Sequence, residues 1–130
     1  MRADQLTKPI RFKSVDWKAI PSAPGAYVIY DRDEVLYVGM SGRNGKGNLR
    51  NRLRDHQSGQ IVNMFAQYLF LARVQFLYEE RITNPSDAKY ACRKYVEDFC
   101  SFSFVVTEDG KEARKVEKEL KSQLKPALNP

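Results

Sequence analysis

Two tyrosines ten residues apart, Tyr27 and Tyr37, lie in the short runs Pro24-Gly25-Ala26-Tyr27-Val28-Ile29-Tyr30 and Leu36-Tyr37-Val38-Gly39. A phenol held on a rigid strand can donate or accept a proton. Its ordinary pKa near 10 makes it a poor base at neutral pH, so such a role needs neighbouring positive charge to bring that value down. Positive charge follows at once. The segment 43–56 supplies Arg43, Lys46, Arg50, Arg52 and Arg54 against one acid, Asp55, and the loop Met40–Asn48 that leads into it carries Gly42, Gly45 and Gly47. Glycines let backbone come close to a ligand, and guanidinium groups match phosphate. No Gly-Lys-Ser/Thr closes the loop, so it is not a Walker phosphate loop. Arg52 and His56, the chain's one histidine, are four residues apart and share a helix face, which suits positioning a phosphate. Plainer readings stand beside these: tyrosines pack well in strands, and a basic helix can simply be solvated.

A third group lies near the end of the chain. With helical spacing, Ala113, Val116, Leu120 and Leu124 form an apolar stripe, Arg114, Lys118, Lys121 and Lys125 gather on the adjoining face, and Glu112 and Glu119 point away. Glu117 falls on the seam. A carboxylate at the edge of a core is costly to desolvate unless a cation or a metal compensates it. Arg114 and Lys121 can do so as ion-pair partners; a divalent metal is the alternative, since hard cations take oxygen ligands.

These groups need elements to hold them. The two tyrosine runs read as strands of a hairpin over about 25–39, turned at Asp31-Arg32-Asp33-Glu34. Alternation places Gly25, Tyr27 and Ile29 on one face and Ala26, Val28 and Tyr30 on the other. Leu49 and Leu53 give 49–56 a one-sided helical edge. Residues 60–69 are apolar and fit helix or strand equally. Leu71–Leu77 alternates and is predicted as a strand. A helix starts at Asn84-Pro85-Ser86-Asp87 and carries the stripe Ala88, Ala91, Cys92, Tyr95 and Phe99. Phe102–Val106 reads as a strand or extended segment, and Lys111–Leu124 as a last helix stopped by Pro126.

The chain has 130 residues, enough for one domain with its own core, and is 42% hydrophobic and 29% charged, which argues against disorder. Residues 1–20 read as an N-terminal basic arm, with Trp17 and Ile20 able to pack on the domain at 21–130. A formal charge of +6 favours nucleic acid or another anionic surface as partner. Cys92 and Cys100, without zinc-site spacing, are expected as reduced, buried thiols of a cytoplasmic protein. No apolar run approaches a membrane span, and the N-terminus has no hydrophobic leader region, so neither membrane insertion nor secretion is expected.

Taken in order, the motifs resemble the GIY-YIG nuclease superfamily. Gly25-Ala26-Tyr27 is similar to the first signature, with Ala26 where isoleucine or valine is usual, and Tyr37-Val38-Gly39 to the second. Asn48-Leu49-Arg50-Asn51-Arg52-Leu53 matches the context of the family's arginine and so singles out Arg52, with His56 four residues on. Glu117, Leu120, Pro126 and Asn129 match the Glu-x-x-Leu…Pro-x-x-Asn pattern. The resemblance implies an α+β fold, a small central antiparallel sheet of about three strands flanked by helices. It implies an endonuclease that hydrolyses DNA with one divalent metal, Mg2+ or Mn2+, held by Glu117. Tyr27 would be the general base supported by Tyr37, Arg52 would stabilise the phosphate, and His56 would assist positioning or proton transfer. Gly39, Arg43, Lys46, Arg50, Arg54 and Asn129 would contact substrate or brace the site. DNA, duplex or branched, is the implied partner, with specificity low or supplied by a recognition partner or a homodimer. A catalytically inactive nucleic-acid-binding domain of the same fold is the alternative, and a protein-interaction module with an acidic partner a further one.

Overall fold

A computed structural model of the chain describes residues 5–42, 45, 47–59, 64–78 and 82–129. Four antiparallel strands form one sheet: β1 (Ile10–Arg11), β2 (Gly25–Asp31), β3 (Glu34–Ser41) and β4 (Cys100–Val106), in the order β1-β4-β2-β3. The helices are α1 (Leu49–Gln57), α2 (Met64–Leu69), α3 (Gln75–Tyr78), α4 (Pro85–Phe99) and α5 (Gly110–Leu124). The fold is α+β, as expected, with the two-residue β1 added beside three longer strands.

The hairpin alternation holds and divides the molecule. Tyr27 and Ile29 join the larger core with residues of α1, α2 and α4, and Trp17 of the N-terminal segment stacks on Phe102 there, the ring centroids 5.9 Å apart. Ala26, Val28 and Val38 face the other way and pack against Val116 and Leu120 of α5. Both faces of β2 are therefore covered, which is why it reads as a nearly continuous apolar run. Ala26 is fully buried at the α5 contact. The small middle residue of Gly25-Ala26-Tyr27 lets α5 lie close to the sheet.

Side chains seen in the sequence start the helices. Asn48 accepts from the Asn51 amide at 2.9 Å, Asn84 from Asp87 at 2.9 Å, and Asp109 from Glu112 at 2.8 Å. After α5, Lys125 turns left-handed at φ 48° and the chain runs back along the outer edge of β3. There the amides of Ala127 and Leu128 donate to the carbonyls of Val35 and Leu36, at 3.2 and 2.8 Å. Asn129 closes the edge: its Oδ1 accepts from the Val38 amide at 2.7 Å and its Nδ2 donates to the Val38 carbonyl at 2.9 Å. An otherwise unpaired strand edge is satisfied in this way.

One predicted element is wrong in type. Leu71–Leu77 is not a strand: α2 runs through a π-helical stretch, Phe70–Val74, into α3. The apparent alternation did not track burial, because Val74 is buried while Phe76 is 69% exposed. Leu, Ala, Arg and Gln are good helix formers, and β2 and β4 already have partners on both sides. The π turn has a use. It carries Arg73, which reaches Asp31 at 2.9 Å and Glu34 at 2.5 Å across the hairpin end. Asp31 is 3% exposed and also accepts from the Tyr95 hydroxyl, whose pKa is pushed up to about 12 by burial and by that carboxylate.

Arg73→Ala should cost about 1–3 kcal/mol, because it strips a buried acceptor of a partner. Arg93→Ala, which breaks the exposed pair with Glu97, should cost less than about 1 kcal/mol. Urea unfolding of both variants checks the difference.

Candidate active site

The site lies along β3, between α1 on one face of the sheet and α5 on the other. A cleft of about 440 Å³ is lined by Tyr27, Tyr37, Gly39, Met40, Gly42, Arg52, Arg114 and Glu117. Five residues singled out in the sequence thus meet in one place, although 90 positions separate Tyr27 from Glu117.

Strand register explains how Tyr27 gets there. Tyr27 pairs with Gly39 across the hairpin, and a Cβ built on Gly39 would stand 2.3 Å from the Tyr27 hydroxyl oxygen and 2.5 Å from Cζ. No residue but glycine leaves room for the ring. Gly25 does the same for the backbone, since a Cβ there would meet the Val105 carbonyl at 2.3 Å and Leu49 at 2.7 Å. The glycines of the two tyrosine runs are thus packing requirements. Gly39 lines the cleft by making space for Tyr27.

Tyr27 forms the cleft floor and is fully buried. Its hydroxyl lies 2.5 Å from His56 Nε2, and the Arg52 guanidinium acts on it by charge and hydrogen bonding. A guanidinium only donates, so the phenol oxygen accepts from Arg52, and the buried phenol proton needs an acceptor. Nε2 is that acceptor when the imidazole carries its own proton on Nδ1. Burial and the neighbouring Tyr37 raise the phenol pKa; Arg52 lowers it by less, and the net shift is upward. Desolvation thus outweighs the Arg52 guanidinium, which by itself does not bring the phenol down. Tyr37, half-buried, shifts upward for the same first reason, with Arg52 opposing. Burial alone would lower Arg52; the adjacent phenols and Asp55 reverse this, and its pKa rises above the ordinary value.

His56 is not on an open face beside Arg52. It is 1% exposed, boxed by the rings of Tyr27, Tyr37 and Phe65 at centroid distances of 5.4, 5.6 and 5.0 Å. It does not line the cleft itself but lies behind Tyr27 and Tyr37, which do. The signal was in the sequence: Leu49, Leu53 and His56 follow the i, i+4, i+7 spacing of a buried stripe.

Glu117 is partly shielded, its side chain 19% exposed, with Lys121 Nζ at 3.9 Å. That pair supports the structural reading at a long distance. The carboxylate also lines the cleft, and its charge acts on both Tyr27 and Tyr37. Among the described residues no group of three or more His, Cys, Asp or Glu gathers into a metal cage. A single carboxylate on an open cleft suits a magnesium-like ion, which keeps several waters and takes phosphate oxygens as ligands.

The remaining sequence candidates separate. Arg50 does not face the cleft: its Nε donates to the Ile20 carbonyl at 2.8 Å and its Nη2 to that of Lys18 at 3.3 Å, tying α1 to the N-terminal segment. Arg54 is exposed on α1 and does not line the cleft. Asn129 braces the β3 edge behind Tyr37 and Gly39. Arg43 and Lys46 lie outside the described residues. Arg114 lines the cleft but was read from the sequence only as an ion-pair partner of Glu117; its place one helical turn before Glu117 is the signal that could have marked it.

No protein-family model matches the chain, and no curated protein matches its sequence. Among solved structures it is similar to the GIY-YIG N-terminal endonuclease domain of UvrC from Thermotoga maritima, bound to its catalytic divalent cation, magnesium. That match has 18% identity over 88% of this chain and 91% of that one, at a TM-score of 0.44. A point mutant of the same domain bound to its divalent cation is similar at 19% identity, covering 88% and 90% of the two chains, with a TM-score of 0.44.

Gly39→Ala should destabilise the protein by about 1–3 kcal/mol through overpacking against Tyr27, read as a lower thermal midpoint. The raised phenol sets a second expectation. Tyr27 favours the folded state fully below the unfolded phenol value near 10, and this contribution fades as pH rises toward its higher folded value. The stability difference between parent and Tyr27→Phe should therefore be constant from pH 7 to 9 and shrink above pH about 10. Denaturant titrations across that range measure it.

Proposed function

We propose that this protein is a metal-dependent endonuclease that hydrolyses phosphodiester bonds of DNA. One observation carries the reading: a buried phenol joined to an imidazole on one side and a guanidinium on the other, on the floor of a cleft whose wall carries a partly shielded carboxylate. The sequence resemblance to GIY-YIG nucleases supplies the reaction class.

The residues divide the work by position. Arg52 meets a phosphate oxygen and balances the charge that builds on it as phosphorus is attacked. Drawn toward phosphate, the guanidinium leaves the Tyr27 oxygen and opens the cleft floor to water. The attacking water gives its proton to the Tyr27 oxygen while the phenol proton passes to His56 Nε2, so that the water oxygen bonds to phosphorus, the P–O bond to the leaving oxygen breaks, and the leaving oxygen takes a proton from solvent in the cleft. This relay lets a phenol with a raised pKa serve as base, because the proton comes to rest on the imidazole. Tyr37 and Phe65 hold the imidazole against Tyr27. Glu117 would hold the divalent cation, Mg2+ or Mn2+, which when bound supplies positive charge to the phosphate and the leaving oxygen.

On supercoiled plasmid with magnesium, the parent should nick and then linearise the DNA. Glu117→Ala should abolish cutting while duplex binding persists. Tyr27→Phe and His56→Ala should each slow it by about 10²–10⁴-fold, and Arg52→Ala by at least about 10²-fold. Binding without cutting by the parent, under magnesium and manganese alike, would replace this reading with that of an inactive nucleic-acid-binding domain.

A further inference from the structure

The outer face of α5 carries a charge pattern that the cleft uses only in part. At about 100° per residue, Lys111, Arg114, Lys115, Lys118 and Lys121 all fall within an arc of about 120°, and Lys125 at the C-cap continues the row. No acid interrupts the arc: Glu112 and Glu119 lie beyond one border and Glu117 beyond the other, beside the cleft. Packing fixes how the helix is rolled, because Ala113, Val116 and Leu120 are fully buried on the opposite side. All but Lys121 of the six cations are exposed, and Lys121 keeps 38% of its side chain in solvent.

A face that merely kept the protein solvated would gain from pairing opposite charges at i and i+4. Opposite charges meet at that spacing only across the borders of the arc, Lys115 with Glu119 and Glu117 with Lys121, whereas within it Lys111 with Lys115, Arg114 with Lys118 and Lys121 with Lys125 set like charges, which is unfavourable for the free helix. Lys111 also stands in the first turn, where the helix dipole disfavours a cation. An external polyanion relieves both. From Lys111 to Lys125 the row is about 21 Å long at 1.5 Å per residue, the rise of roughly six base pairs of duplex. Arg114 belongs to both the row and the cleft, so the two surfaces are continuous. An anionic membrane suits this face less well, because the apolar side of α5 is buried under the sheet and cannot insert.

We propose that this face is a phosphate track that seats the backbone of the DNA duplex on which the cleft acts; the choice of DNA over another polyanion rests on the nuclease reading. The test is duplex binding by fluorescence anisotropy over a range of salt, in EDTA so that nothing is cut. Three proteins are compared: the parent, the variant Lys111→Gln/Lys115→Gln/Lys118→Gln, and the control Lys8→Gln/Lys13→Gln/Lys18→Gln, which removes equal charge from exposed positions of the N-terminal segment. Thermal melts establish that each is folded, and Lys118→Gln alone stands in if the triple is not.

The α5 variant should lower the slope of log K against log salt by about two to three, and the single variant by about one. The control should change the slope by less than about one. Equal effects of both triples, or an unchanged slope in the α5 variant, would overturn the proposal. So would loss of binding to phosphatidylserine vesicles with DNA binding intact, which would assign the face to a lipid surface. The two readings fail separately. A parent whose duplex binding depends on the α5 row but which never nicks plasmid keeps the track and loses the nuclease; a parent that nicks while the α5 variant binds unchanged does the reverse.

Discussion

The arrangement depends on one contact, the hydroxyl of Tyr27 against Nε2 of His56 at 2.5 Å in a setting without solvent. Everything around it follows from the need to bury a phenol and an imidazole together without leaving either unsatisfied. Gly39 must lack a side chain so that the ring can lie over β3. Tyr37 and Phe65 must close the other sides of the imidazole. Arg52 must stand close to the phenol, where its guanidinium opposes part of the desolvation. The same burial that makes the phenol a weak acid in isolation gives it a built-in proton acceptor.

The sheet places this group where chemistry is accessible. β2 is central and covered on both faces, so a residue on it has no direct route to solvent through either layer. β3 is the outer strand, and the cleft opens along it, with α1 reaching in from one face and α5 from the other. The returning chain end pairs with the outer side of β3, and Asn129 satisfies both polar groups of Val38. That edge is thereby closed to pairing with another strand while the cleft side stays open. α5 serves three ends with three faces: an apolar one under the sheet, Glu117 at the cleft, and a basic one outward.

Some of this was legible in the residues. The hairpin and its two faces were, because period-two alternation in 25–30 is matched to burial on both sides. The start of α4 was, because Asn84 is a side chain that caps. The end of α5 at Leu124 was, because Pro126 cannot continue a helix. Leu71–Leu77 was misread because alternation in a short segment does not separate a strand from a helix whose apolar residues are largely exposed. Arg50 and Arg52 could not be told apart by charge; the first spends its guanidinium on two backbone carbonyls and the second faces Tyr27.

The sequence by itself determined which chemical groups are present, the order of Tyr27, Tyr37, Arg52, His56 and Glu117 along the chain, and that α5 has an apolar, a basic and a seam position. Only the tertiary structure decided that His56, on the same face of α1 as Arg52, is buried behind Tyr27, that Gly39 exists to admit the Tyr27 ring, and that burial moves the phenol's pKa up. The physical reason is the same in each case. Spacing along a chain sets which residues share a face, whereas desolvation and cross-strand packing depend on what the rest of the fold lays over that face.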